Sequence, residues 1–107
     1  MNRREKIEAM LADDPEDQFL RYSLAMELRS EGENDKCLTI FDALMRESTP
    51  HVQAFFMAAQ VLVDLDRIDE AREKLRAGID QARAQDNGHA AAEMSELLAS
   101  LGEYGEL

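Results

Sequence analysis

The feature that most constrains this sequence is a repeat with a period of 34 residues. Sliding the segment from Phe19 to Leu44 forward by 34 places Leu24-Ala25 on Ala58-Ala59 and Leu28 on Leu62. It also places Gly32 on Asp66, Cys37 on Ala71, Phe41 on Leu75 and Leu44 on Gly78. Small residues meet small ones, and most large apolar residues meet large ones. Sliding backward puts Ile7 at the place of Phe41 and Met10 at that of Leu44, which makes half a unit. With two residues inserted near Asp86-Asn87-Gly88, Ala91, Met94, Leu98 and Gly102 follow the spacing of Arg21, Leu24, Leu28 and Gly32. A fixed period of this length means stacked supersecondary units, each with an apolar face that only its neighbours can bury.

Within each unit the apolar residues recur at three and four, the spacing that lines one face of a helix. Leu20, Leu24, Ala25 and Leu28 mark a first helix; Cys37, Leu38, Phe41, Leu44 and Met45 mark a second. The pattern predicts six helices, over about 2–12, 16–31, 35–47, 51–65, 67–85 and 88–101. Asp14-Pro15 and Thr49-Pro50 read as a capping acceptor followed by proline at the first helical position. Asp66 reads as a further cap and Gly32 as the left-handed residue that ends a helix. Small residues at Ala25, Ala59, Cys37, Ala71 and Gly78 permit close helix approach.

This unit of two helices resembles the tetratricopeptide repeat (TPR). The matching residues are Leu24-Ala25, Leu28, Gly32, Cys37, Phe41 and Leu44 in the first full unit, with Pro50 displaced by one. Phe55, Ala58-Ala59, Leu62, Ala71, Leu75 and Gly78 match in the second. Arg21, Asp66 and Arg83 depart from the large apolar residue, glycine and proline expected at their places. The resemblance implies an all-α fold of antiparallel helix pairs stacked as a short right-handed solenoid. It also implies one domain over 1–107, with a half-repeat at 1–15, full repeats at 16–49 and 50–85, and a capping helix and tail at 86–107.

Composition narrows the function. The formal net charge is -11, which repels nucleic acid and anionic membrane surfaces. Solubility is the plain account of that charge, and a basic or Arg-rich protein ligand is the functional one. A single cysteine forbids an intramolecular disulfide, and no apolar run reaches the length of a membrane span. A cytoplasmic protein is therefore the expectation.

No grouping of side chains reads as a reaction centre. His51 and His89 lie in no metal-ligand cluster, and His89 with Glu93 reads as a surface pair. Asp13 to Asp17 lack the spacing of a calcium loop, and Cys37 occupies a tight interhelical position with no base beside it. The expectation is a protein that is not an enzyme, without cofactor or metal. Arg67, Arg72, Lys74, Arg76 and Arg83 alternate with acids and read as ion pairs along an exposed helix.

The TPR resemblance implies an adaptor that binds a peptide or helix in a concave groove lined by the first helices of the units. The groove residues are Phe19, Tyr22, Met26 and Arg29, then Phe56, Gln60 and Val63, with Gln53, Asp64, His89, Ala92 and Glu96 at matching places. The Lys and Asn of the carboxylate-clamping subclass are absent from these positions. The alternative is a self-associating component, a homo-oligomer that docks through its terminal helices, where Met94, Leu97, Leu98 and Leu101 are too many for one narrow stripe.

Overall fold

In the computed structural model, which describes residues 1–102, six α-helices account for all regular structure among the described residues. They are α1 (Arg3–Asp13), α2 (Gln18–Ser30), α3 (Asn34–Met45), α4 (Val52–Asp64), α5 (Ile68–Ala84) and α6 (Gly88–Gly102). The all-helical expectation holds, and the expected boundaries fall within three residues of these. The tail at 103–107 lies outside the described residues.

The chain forms two compact units, Met1–His51 and a second that begins at Val52. In unit 1, α2 packs on both α1 and α3. Its core holds Ile7, Ala25, Leu28, Cys37, Phe41 and Leu44. In unit 2, α5 packs between α4 and α6. Its core is richer, with Phe55, Val61, Leu62, Leu75, Ile79 and Met94 among small residues such as Ala58, Ala59, Ala71 and Ala82. Gly78 is a point of close approach: a Cβ there would stand 2.5 Å from Phe55 Cβ and 2.6 Å from Met94 Sδ. The absence of a side chain is what lets the helices meet.

Three helix ends share one turn. Glu33 donates its amide to the Leu28 carbonyl at 2.9 Å, Arg67 to Leu62 at 2.8 Å, and Asn87 to Ala82 at 2.7 Å. The residue before each is left-handed, with φ of 78° at Gly32, 60° at Asp66 and 61° at Asp86. Its own amide returns to the carbonyl three residues back, which completes a Schellman motif. Gly32 ends its helix as expected. Asp66, read as a cap for α5, instead supplies the left-handed residue that ends α4. Aspartate tolerates that region better than most side chains.

Two other cap expectations are corrected. Asp14 ends α1, and the side chain of Asp17 caps α2 by accepting from the Leu20 amide at 2.8 Å. Asp14, Pro15, Glu16 and Asp17 form a turn closed by the Asp17 amide on the Asp14 carbonyl at 3.3 Å. Proline presets φ equally well for the second place of such a turn and for a helix start, so sequence alone does not separate them. Thr49 and Pro50 lie in the α3–α4 connection, where the Thr49 carbonyl accepts from Gln18 Nε2 at 3.2 Å. Asn2 and Glu5 cap α1 reciprocally, a capping box that the sequence reading passed over.

Candidate functional site

Unit 1 carries an open apolar cleft of about 320 Å³ between α1 and α2. Ile7 and Met10 of α1 form one wall; Phe19, Leu20, Tyr22 and Met26 of α2 form the other. Arg3 and Glu27 pair across the rim at 3.1 Å. The spacing of 19, 22 and 26 places these side chains on one helical face, and the turn at Asp14–Asp17 folds α1 back beside them. Phe19 is 71% exposed and Met10 49%, unusual for large apolar side chains.

The floor of the site is more buried than its mouth. Tyr22 is half-buried and lies 4.9 Å from His51 in a stacked arrangement and 5.9 Å from Phe41 at a tilt. Burial raises the Tyr22 pKa, and burial with the Arg21 charge lowers that of His51. Both shifts favour the uncharged ring. Arg21, at the place of an expected apolar residue, pairs with Glu47. Arg29 is half-buried on α2, and its charge acts on Tyr22 and Cys37. Cys37 is fully buried and its thiol pKa is pushed up to about 11, the condition of an unreactive packing residue.

The remaining expected residues lie in unit 2. Phe56, Gln60 and Val63 are half-buried on α4 and share one helical face, with Gln53 also half-buried there and Asp64 exposed at its end. His89, Ala92 and Glu96 are exposed on α6, and His89 pairs with Glu93 at 3.4 Å as a surface pair. Sequence reasoning missed the contribution of α1. Ile7 and Met10 were assigned to the repeat, yet their helix supplies the second wall of the cleft. The half-unit register was the signal that could have found it.

The basic helix α5 also differs from expectation at one residue. Arg72 is buried, pairs with Asp69 at 2.7 Å and donates from Nη2 to the Leu101 carbonyl at 2.9 Å. It ties α5 to the end of α6 rather than decorating an exposed face. Arg67 pairs with Glu70 as expected. Among the described residues no His, Cys, Asp and Glu cluster could hold a metal ion, and no helix is long and apolar enough to cross a membrane.

Comparison with known proteins places this arrangement. Residues 4–78 match the family model described as anaphase-promoting complex, cyclosome, subunit 3. A tetratricopeptide repeat domain protein from Salinibacter ruber is similar at 26% identity and a TM-score of 0.77, over 81% of this chain and 88% of that one, in its solution NMR structure. Its crystal structure is similar at 25% identity and a TM-score of 0.75, over 82% and 98%. A Bordetella parapertussis protein, at 20% identity, shares the fold over 97% of this chain and 90% of its own with a TM-score of 0.82. No curated protein matches.

Proposed function

Because this chain belongs to the family described as anaphase-promoting complex, cyclosome, subunit 3, and is a small tetratricopeptide-repeat protein, we propose that it is an adaptor that receives a helical segment of a protein in the α1–α2 cleft. The TPR fold is a protein–protein interaction module and is typically not enzymatic. The observation that carries the reading is the exposure of Phe19 and Met10 over a cleft floored by Ile7, Tyr22 and Met26. Large apolar and aromatic side chains around a flexible methionine suit the apolar face of an amphipathic helix. Tyr22 is the rigid anchor, since its ring already stacks on His51 before any ligand arrives.

Phe56, Gln60 and Val63 on α4, with Arg29 on α2, are proposed as further peptide contacts. The chain's charge of -11 favours a segment with basic residues flanking its apolar face and disfavours nucleic acid and anionic membranes. A cytoplasmic location is part of the same proposal.

Selection of peptides from a displayed helical library on the immobilised protein tests the reading. Selected peptides should be amphipathic, and a Phe19→Ala, Met26→Ala double variant with an unchanged circular dichroism spectrum should lose them. A Phe56→Ala, Gln60→Ala variant then measures the share of α4. Undiminished capture by both folded variants would sink the proposal.

A further inference from the structure

The turn that joins α5 to α6 holds a pair of residues with chemistry of their own. Asn87 is followed by Gly88, the first residue of α6. Asn87 caps that helix: its Oδ1 accepts from the Ala90 amide at 3.2 Å, and its carbonyl accepts from the Ala91 amide at 3.1 Å. Its Nδ2 makes no hydrogen bond among the described residues. Gly88 is exposed, and the space where a Cβ would stand is open. As the first residue of a helix, its amide has no intrahelical acceptor.

These are the parts of an intramolecular acyl transfer. The Asn87 Cγ is the electrophile, and the Gly88 nitrogen is a nucleophile on the same chain, so no second molecule has to be positioned. The Ala90 amide already points at Oδ1, the atom that takes up negative charge when Cγ becomes tetrahedral, and the positive end of the α6 dipole lies there too. No acid lies in the first turn of α6, and His89 pairs with Glu93. The charge of Asp86 opposes loss of the Gly88 proton, but Asp86 is exposed and water screens it. The cap bond is longer than the 2.8 Å at Asn2 and Asp17, which leaves the side chain freer to swing toward the main-chain nitrogen.

The other two asparagines lack this combination. Asn2 caps α1 in the same way, with Oδ1 on the Glu5 amide, yet it is followed by Arg3, whose side chain crowds the attacking nitrogen. Asn34 is the first residue of α3 and precedes Asp35, so the nitrogen beyond it is already within the helix. Asn87 alone joins a side-chain cap to a following glycine.

We propose that Asn87 is a self-modification site, which the chain converts to aspartate and isoaspartate through a cyclic imide with Gly88. The Gly88 nitrogen gives its proton to water and bonds to Cγ. The bond from Cγ to Nδ2 breaks, and Nδ2 takes a proton from water and leaves as ammonia. Water then opens the imide. Cleavage between Cγ and nitrogen leaves aspartate; cleavage between the main-chain carbonyl carbon and nitrogen leaves the chain running through Cβ and Cγ, as isoaspartate. One water is consumed and one ammonia released, and nothing is oxidised or reduced.

The two products differ in what they do to α6. Aspartate keeps an oxygen for the Ala90 amide and adds a charge favoured at a helix start. Isoaspartate lengthens the main chain by one carbon beside the bond from the Asn87 amide to the Ala82 carbonyl, which ends α5. It therefore loosens the start of α6 from α5.

Peptide mapping by mass spectrometry of the whole folded chain, after weeks in neutral buffer, tests the site. The peptide that holds Asn87 should gain the mass of amide-to-acid conversion in two forms, one of them a substrate for an isoaspartyl-specific methyltransferase. Asn2 and Asn34 should stay intact. Gly88→Ala should slow the conversion by at least about tenfold. It should melt no lower than the wild type, because its methyl meets nothing within 4 Å. The chain unfolded in guanidinium chloride should convert no more than about tenfold faster than the folded one. Conversion in the unfolded chain alone would mean that the cap protects the pair, and would overturn the proposal. Undiminished conversion of folded Gly88→Ala, or equal conversion at Asn2, would overturn it as well.

Discussion

Units 1 and 2 are cut from one repeat at different phases, and the phase decides how well each is filled. Unit 1 has α2, a first helix of the repeat unit, between the second helices α1 and α3; unit 2 has α5, a second helix, between the first helices α4 and α6. At the centre of unit 2, Ala71, Leu75, Gly78, Ile79 and Ala82 are buried along α5, and Gly78 brings α4 and α6 close. At the centre of unit 1, α2 buries only Ala25 and Leu28, while Tyr22 and Met26 remain half-exposed. The same period therefore yields a dense core in one unit and a core with an open cleft in the other. Packing density depends on which face of the repeat is flanked, and the less covered flank is where a partner gains most by binding.

The sharpest way to break this comparison lies in the depths of unit 1. Phe41→Ala removes a fully buried ring from the smaller core and should destabilise the protein by about 3–5 kcal/mol in urea unfolding. A loss below about 1 kcal/mol would mean that unit 1 is already loosely packed.

Next comes the tight crossing of unit 2. Gly78→Ala gains about 1 kcal/mol of helix propensity but drives a methyl into Phe55 Cβ, which is fixed to its backbone. Overpacking should win, with a net loss of about 1–3 kcal/mol and a lower thermal midpoint. A stabilised variant would show that α4 and α6 can move apart at little cost.

The turns give a paired test of intermediate size. Gly32→Ala has open space around its new methyl but forces an L residue to φ 78°, so it should destabilise by about 1 kcal/mol. Asp66→Gly relieves the same strain at φ 60° and should stabilise by a few tenths to about 1 kcal/mol. Equal and like-signed changes would contradict a shared turn geometry.

The smallest effects belong to the cleft. Phe19→Ala should shift stability by no more than about 0.5 kcal/mol, because its ring is largely in water already. The His51 pKa lies below its ordinary value, so the unfolded chain takes up that proton more readily than the folded one. Stability should accordingly fall as pH drops through the ordinary histidine range toward the lowered folded value, then level off for this group. His51→Gln should flatten that part of the pH profile, and an unchanged slope would remove His51 from the account.

Much of the fold was legible in residues alone. The period placed six helices, and the small residues at Ala59, Ala71 and Gly78 marked their close approaches, because both follow from helical geometry repeated along the chain. Gly32 announced its turn, since glycine tolerates the left-handed backbone best. Asp14-Pro15 misled, because a turn and a helix start make the same demand on proline. Of the proposed contact residues, Phe19, Tyr22 and Met26 could be assigned to one helical face. Their partners Ile7 and Met10 could not, since periodicity orders residues on a helix without saying which neighbour covers them.

By itself the sequence determined helices, turns and repeat phase, all of which depend on residues a few positions apart. Tertiary structure alone decided that Arg72 is buried against the end of α6, that Tyr22 stacks on His51, and that the flank of α1 and α2 stays open. Burial and pairing depend on which distant helix arrives at a face. A repeated pattern gives equivalent residues the same face, and the phase at which the stack is cut gives them different surroundings.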